Sequence, residues 1–520
     1  MRKSFISSAI ILIVAGFIAR LVGFVYRIYL SNLIGAEGMG LFQLVVPVYT
    51  AVVLTITAGI SIAVSKMVAE QQARNNTANS GRITSLAIAL VIAAGSLVSL
   101  FIFFNIDFIS TKILGDARTY KALLIMVPCI PAVVAASAFK GYFYGIQKVM
   151  PTAFSQVAEQ IIKIAFVLFL TGRIAEKGVE FACAVATLSA ALGEIANALV
   201  LTAVYLFKKR YFSKTGFTGS LMRKRTIIME LLKISVPVSA NRMIVSILSA
   251  AEYILIPAML MSGGLEYKNS MELFGRLTGM ALPLIMFPSL VTNSLATTLV
   301  PAISESVFKK NYRAVNSKIS KSVQTTLILG MMFTAMLISY PGEIGRLVYR
   351  HEDIESLLYM LAFPCIFIYL QQTLTGVLNG LGKQGVLLRD TVIGSVIRIA
   401  VVYFLMPVYG IRIYVLSLAF SYILTSCLNL FVINKITGLV IDLRGWLLKP
   451  GVISVAMMLI GKYIYYFFFM LDLDRTVTIL MTLVANALIS GFLMMAAGVF
   501  KPDEILKMAG LKTRRKIKEM

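Results

Sequence analysis

Apolar residues fill long uninterrupted stretches of this chain, and short polar segments separate them. A helix that crosses a bilayer needs about 20 predominantly apolar residues. By that measure, spans are expected near 5–33, 41–65, 83–106, 118–145, 153–172, 179–207, 230–262, 273–303, 319–341, 355–380, 388–408, 411–434, 447–470 and 477–500. Several exceed the hydrocarbon thickness, which tilt or projection beyond the membrane accommodates. The expected fold is all-α: a polytopic membrane protein of about fourteen transmembrane helices, with both termini on one side. Arg2 and Lys3 ahead of an apolar run resemble the start of a signal peptide. No small-residue cleavage site precedes Arg20, so the first stretch reads as an uncleaved span.

The pattern repeats internally. Phe139-Lys-Gly-Tyr-Phe-Tyr-Gly-Ile-Gln-Lys148, closing the fourth stretch, matches Leu374-Thr-Gly-Val-Leu-Asn-Gly-Leu-Gly-Lys383, closing the tenth. The shift of 235 residues aligns Gly141 with Gly376, Gly145 with Gly380, Lys163 with Arg398 and Glu70 with Glu305. It carries six spans, an even number, so the halves are parallel rather than inverted. The expected plan is a six-helix lobe over 1–207, a basic linker over 208–229 and a second six-helix lobe over 230–437. The two lobes are expected to be related by an axis along the membrane normal, with a substrate site between them. Two extra helices over 438–500 and a basic tail over 501–520 fall outside the repeat.

Composition agrees and excludes other classes. The 520 residues are 58% hydrophobic, with a mean hydropathy of +0.85, well outside the soluble range. The net charge of +25 would fit a nucleic-acid partner, but its distribution does not. Lys208, Lys209, Arg210, Lys214, Arg223, Lys224 and Arg225 crowd one connection, Lys309, Lys310, Arg313, Lys318 and Lys321 another, and Lys507, Lys512, Arg514, Arg515, Lys516 and Lys518 the tail. The odd-numbered connections hold acids instead, among them Glu37, Asp107, Asp116, Glu266, Glu272 and Asp353. That asymmetry places both termini in the cytoplasm. Cys129, Cys183, Cys365 and Cys427 are isolated, and His351, the single histidine, reads as a solvated loop residue. No metal site or cofactor is expected. The one GxGxxG match, Gly380 to Gly385, lies between two membrane helices and reads as a helix-ending turn; no Walker, GxSxG or HExxH motif occurs. No catalytic residue is expected.

Charges inside the apolar stretches carry the candidate chemistry. Arg20 and Arg27 are seven residues apart in the first stretch, which puts both on one helix face about 10 Å apart along the axis. A mid-helix charge costs roughly 2.5–3.5 kcal/mol on translocon scales, so these side chains should face a wet, protein-lined cavity. The seventh stretch aligns Ser235, Ser239, Arg242, Ser246 and Ser249 on one face, with Glu252 at its edge and Pro237 and Pro257 able to bend it. The same stripe would also serve plain helix packing. Arg276 opens the eighth stretch, where Pro283 and Pro288 predict a broken helix. Asn379 lies on a polar face of the tenth with Gln372 and Thr375. Glu159 and Lys163 form an i,i+4 pair whose charges would cancel, and Glu194 is a further acid. Arg20, Arg27, Lys163, Arg242, Arg276 and Arg398 outnumber Glu159, Glu194 and Glu252, so a cationic cavity suited to an anionic substrate is expected. The three glutamates are candidates for ion coupling or for pairing.

Arg20-Leu-Val-Gly-Phe-Val-Tyr-Arg27, followed by Leu33-Ile-Gly-Ala-Glu-Gly-Met-Gly40, resembles the first-helix signature of the multidrug/oligosaccharidyl-lipid/polysaccharide exporter superfamily. Gly275-Arg276-Leu with Pro283, then Leu299-Val-Pro-Ala-Ile-Ser-Glu305, resembles its eighth helix. Fourteen spans narrow the resemblance to the lipid II flippase group, nearly end to end. The likeness implies a two-lobe bundle in the bacterial cytoplasmic membrane that flips undecaprenyl-diphosphate-linked peptidoglycan precursor outward, for spore cortex in a sporulation member. It also implies a lipid-tail groove on the last two helices, and membrane lipids and cell-wall synthesis enzymes as partners. Arg20 matches the first cavity arginine of the group and Arg276 its eighth-helix arginine. Its second first-helix arginine falls on Tyr26, with Arg27 next, and its span-two arginine falls on Ala51. Three alternatives stay open: export of a capsule or teichuronic-type lipid-linked oligosaccharide, cation-coupled drug antiport, and a non-transporting membrane scaffold.

Overall fold

The computed structural model describes residues 2–74, 76–174, 178–212, 221–350, 352–440, 442–472 and 474–496. His351, part of the basic linker and the tail from 501 lie outside them. The described residues are helices joined by short connections. The long elements are α1 (Arg2–Ala73), α2 (Thr77–Phe104), α3 (Ala117–Gly145), α4 (Met150–Ile174), α5 (Gly178–Phe212), α6 (Lys224–Ser262), α7 (Tyr267–Met286), α8 (Ser289–Phe308), α9 (Tyr312–Ser339), α10 (Glu355–Gly380), α11 (Gln384–Tyr409), α12 (Ile411–Thr437), α13 (Arg444–Phe469) and α14 (Arg475–Ala496).

Span count and element count agree by coincidence. At 1.5 Å per residue, α1 would be about 108 Å long, over three times the hydrocarbon thickness. It is two spans joined at Gly35, whose φ of 70° lies in the left-handed region and breaks the helical path. Conversely, α7 and α8 form one span bent by 57°, at the prolines expected to break it. Pro288 sits at the start of α8, and Arg276–Ala281 within α7 is wound as a π-helix. Fourteen membrane-length spans result among the described residues, as the apolar stretches predicted.

The 235-residue repeat is reproduced at the level of single contacts. A Cβ on Gly141 would lie 2.7 Å from the Ser61 carbonyl oxygen; one on Gly376 would lie 2.6 Å from that of Ala296, the residue 235 further on. Gly145 abuts Val68 as Gly380 abuts Ile303, again at the same shift. Asn76 caps α2 by accepting from the backbone of Asn79 at 3.0 Å, and Asn311 caps α9 by accepting from Ala314 at 3.0 Å. The C-termini of α3 and α10 match as well. Lys148 N–H donates to the Phe143 carbonyl and Lys383 N–H to that of Leu378, closing equivalent Schellman turns through Gln147 (φ 57°) and Gly382 (φ 71°). The GxGxxG segment is therefore a helix cap, not a phosphate loop.

By packing, the chain falls into two compact units: Met1–Pro283 with Ser395–Tyr414, and Leu284–Gly394 with Val415–Met520. Within the first, α6 runs against α1, and a Cβ on Gly59 would lie 2.2 Å from the Ser235 carbonyl. Within the second, Leu299, Ile303, Val315, Ile319, Leu374 and Val377 form the centre of an apolar core between α8, α9 and α10. The two extra helices fasten to α9. Trp446 Nε1 donates to Ser320 at 3.2 Å, and Asn486 donates to the hydroxyl of Tyr340, just beyond α9, at 2.9 Å.

Because Gly141 and Gly376 each face a backbone carbonyl that cannot retreat, Gly141→Val and Gly376→Val should each cost about 1–3 kcal/mol. Thermal unfolding in detergent should show both, while Gly385→Ala, which meets open space, should leave the midpoint unchanged.

Candidate substrate-binding site

The charged residues of the first unit fall into three groups according to what neutralises them. Arg398 is held most tightly. Its Nε donates to Glu252 Oε1 at 2.9 Å and its Nη2 to Oε2 at 3.0 Å, with Ser395 and Tyr414 completing the shell at 3.1 Å each. The side chains are 14% and 5% exposed. This two-pronged geometry is the strongest an arginine and a carboxylate can form. The acid comes from α6, not from the helix that carries Arg398, and sequence spacing cannot reveal such a pairing.

The second group lies among α1, α3, α4 and α5. Lys163 donates to Glu159 at 2.6 Å, and Asn197 occupies the other oxygen at 2.6 Å. Gly193 lets the lysine lie flat, since a Cβ there would come within 2.5 Å of its Cγ. Glu194 accepts from the Tyr49 hydroxyl. Lys140 faces both glutamates electrostatically, and Tyr26 contacts Ser189 at 2.5 Å. Lys140, Tyr49 and Asn197 were not foreseen. Lys140 sits in the repeat motif, where its counterpart is Thr375, and that departure from the repeat was the available signal.

The third group has no close carboxylate partner or only a longer one. Arg20 and Arg242 are exposed, and neither forms an ion pair among the described residues. Arg27 is half-buried and donates to the Thr278 carbonyl at 3.1 Å; Gln43 donates to the same oxygen at 2.8 Å. The π-helix leaves that acceptor open, because the Leu282 N–H pairs with the Leu277 carbonyl and Pro283 has no N–H to offer. Arg276 is partly offset by Glu272 at 3.5 Å. The structure thus removes Lys163 and Arg398 from the six candidate cations, pairing them with Glu159 and Glu252. The serine stripe is partly structural too: Ser235 and Ser239 meet Gly59, and Ser249 bonds its own helix. Asn379 ends α10, where its carbonyl accepts from Gly382.

One further contact fastens this unit. A Cβ on Gly40 would lie 2.4 Å from the Met271 carbonyl, and one on Gly275 would lie 1.9 Å from that of Ala36. Gly40 and Gly275 are repeat equivalents, and so are Ala36 and Met271. The crossing of α1 and α7 is therefore reciprocal: each half presents its glycine to the other's backbone.

A parallel-repeat bundle of fourteen spans with charges in its interior is a membrane transporter of the multidrug/oligosaccharidyl-lipid/polysaccharide exporter superfamily, not an enzyme. Within it, the chain belongs to the family described as polysaccharide biosynthesis protein, whose pattern matches residues 5–307; the pattern described as MatE matches 278–404. The chain is similar to Stage V sporulation protein B of Bacillus subtilis (strain 168), 28% identical over 507 residues and 97% of each chain. It is also similar to the Lipid II flippase MurJ of the same strain, 24% identical over 84% of each. A solved structure, "Lipid II flippase MurJ, inward closed conformation", shares the fold with a TM-score of 0.69 at 16% identity, over 94% of this chain and 99% of that one.

Arg398→Ala should destabilise the protein by about 3–5 kcal/mol, because it leaves Glu252 buried without its counter-charge. Replacing both partners with leucine should cost less than that single change. Denaturation in detergent checks the order, and strictly additive losses would contradict it.

Proposed function

We propose that this protein moves a polyprenyl-diphosphate-linked sugar across the bacterial cytoplasmic membrane by alternating access, and that lipid II for the spore cortex is the substrate. The observation that carries the reading is the exposure of Arg20 and Arg242, within membrane-length helices, without ion-pair partners among the described residues. Such guanidiniums need an anion or water. A diphosphate offers paired oxygens that match the planar fork of arginine, and desolvation strengthens those bonds. Arg27 and Arg276 supply the neighbouring charge. The similarity to Stage V sporulation protein B and to the Lipid II flippase MurJ supports the choice of cargo. In this reading 1–207 and 230–437 are the moving lobes, the termini are cytoplasmic, and the helices over 438–500 guide the lipid tail.

A second cargo is favoured by one observation. The matching family is described by polysaccharide biosynthesis, which suits another lipid-linked oligosaccharide.

Arg20→Ala and Arg242→Ala should each abolish complementation of a depletion strain while leaving membrane insertion intact. Native mass spectrometry of the purified protein should show lipid II retained by wild type and lost by both variants. Full activity of both would sink the diphosphate site. Retention of another lipid-linked sugar, with lipid II excluded, would decide for the second cargo.

A further inference from the structure

Three separate connections meet at one guanidinium in the first unit. Arg118, at the start of α3, donates through Nη1 to Glu37 of α1 at 2.7 Å and through Nη2 to Asp116 at 3.0 Å. Its Nε lies 3.2 Å from each oxygen of Asp116. Asp116 is buried and also caps its own turn, accepting from the Arg118 N–H at 2.9 Å. The ring of Tyr267, the first residue of α7, lies under the guanidinium at 5.3 Å, and its hydroxyl donates to Asp116. The segments around 37, 116 and 267 are odd-numbered connections, so their meeting places all three on one membrane face.

The cluster has an asymmetry that the fold itself does not require. Under the repeat, Glu37 corresponds to Glu272 and Arg118 to Asp353. Glu272 pairs along its own helix with Arg276 and, at 4.0 Å, with Lys268. A contact needed to build a six-helix half would occur in both halves, and among the described residues this one occurs once; the counterpart of Asp116, His351, lies outside them. It also divides unequally. Glu37, Asp116 and Arg118 belong to the first repeat half, whereas Tyr267 belongs to the second and sits next to the reciprocal Gly40–Gly275 crossing.

We propose that Glu37, Asp116 and Arg118 form a fixed anionic and cationic socket for Tyr267, and that this socket is a latch closing the non-cytoplasmic end of the transport path. Opening toward that side pulls Tyr267 out of the socket, breaking its hydroxyl bond to Asp116 and its stacking on Arg118. The ion pairs to Glu37 and Asp116 stay made. The directional bonds at the glycine crossing run only between α1 and α7; the latch ties the crossing to the start of α3 as well, and so lengthens the time the closed end stays closed. This inference rests on the alternating-access reading above.

Ser31 is a suitable reporter. It is fully buried on α1, 3.5 Å from the Gly279 carbonyl of α7. In a variant stripped of the four native cysteines, Ser31→Cys would be labelled with a membrane-impermeant thiol reagent, in intact cells and in inverted vesicles. Tyr267→Phe should raise labelling from outside about threefold, and Tyr267→Ala or Arg118→Ala about tenfold, by shifting the closed–open balance. Lys112→Ala, exposed on the same connection as Asp116 but with no bond to the socket, should change nothing. Tyr267→Phe keeps the ring in place, so it carries the test even if a truncating variant fails to accumulate. Unchanged labelling from both sides in Tyr267→Phe would overturn the latch. A rise seen only in inverted vesicles would keep the latch but overturn the assigned orientation, and with it outward export.

Discussion

A charge inside a hydrocarbon-spanning bundle has three ways to exist: beside an opposite charge, in water, or against a bound ion. That constraint sorts the interior of this protein. Arg398 takes the first course through Glu252, and Lys163 takes it through Glu159. Arg27 finds a neutral substitute, a carbonyl released by the π-turn at Arg276–Ala281. Arg20 and Arg242 are exposed and have no ion-pair partner among the described residues. Positive charge therefore survives on two helices that run together, α1 and α6. A pair locked in a salt bridge contributes rigidity, whereas a cation without a carboxylate keeps its donors open.

The repeat supplies architecture, and its violations supply chemistry. Caps, Schellman turns and the glycine seats of α3 and α10 recur at the 235-residue shift with nearly equal distances. The ionisable cluster does not. Glu159, Glu194 and Lys140 correspond to Gly394, Asn429 and Thr375. Asn429 is fully buried and donates through its amide nitrogen to Gln371 at 3.0 Å, a neutral bond, whereas its half-buried counterpart Glu194 is an acid. The acid–lysine network of the first half therefore has no counterpart at the equivalent positions of the second, whose own ion pair, Arg398–Glu252, draws its acid from a different helix.

How far the chain could be read before its structure was known follows from the same division. Periodicity of apolar residues is a local signal, so the fourteen stretches, the break at Pro288 and the turn at Gly382 were legible. The repeat was legible because it is a comparison of the sequence with itself. The i,i+4 pair Glu159–Lys163 was legible for the same local reason. Arg398–Glu252 was not, since 146 residues separate the partners and a spacing rule reports only on one helix. Arg118 escaped notice because it follows Asp116 in a short connection, where an arginine looks like ordinary solvated charge. Only the approach of α7, which brings Tyr267 beneath it, makes that residue distinctive.

The reciprocal crossing of α1 and α7 suits a seam that must part and re-form. Interlocked side chains would have to change rotamers as the helices separate, and each change would add a barrier. At Gly40 and Gly275 there is no side chain to interlock, and the approach is backbone to backbone. Such a surface is lost all at once and regained without searching for a fit. It carries little energy that depends on direction, however, so a seam made only of glycine would drift. Directional bonds lie beside it, from Arg27, Ser31 and Gln43 to carbonyls of α7 and from Tyr267 to Asp116. Arg118, one-third exposed at the start of its helix, keeps its ion pairs when Tyr267 leaves, so no charge is stranded. A neutral hydroxyl and ring can leave a paired cation at little electrostatic cost, whereas parting the buried Arg398–Glu252 pair would strand two charges.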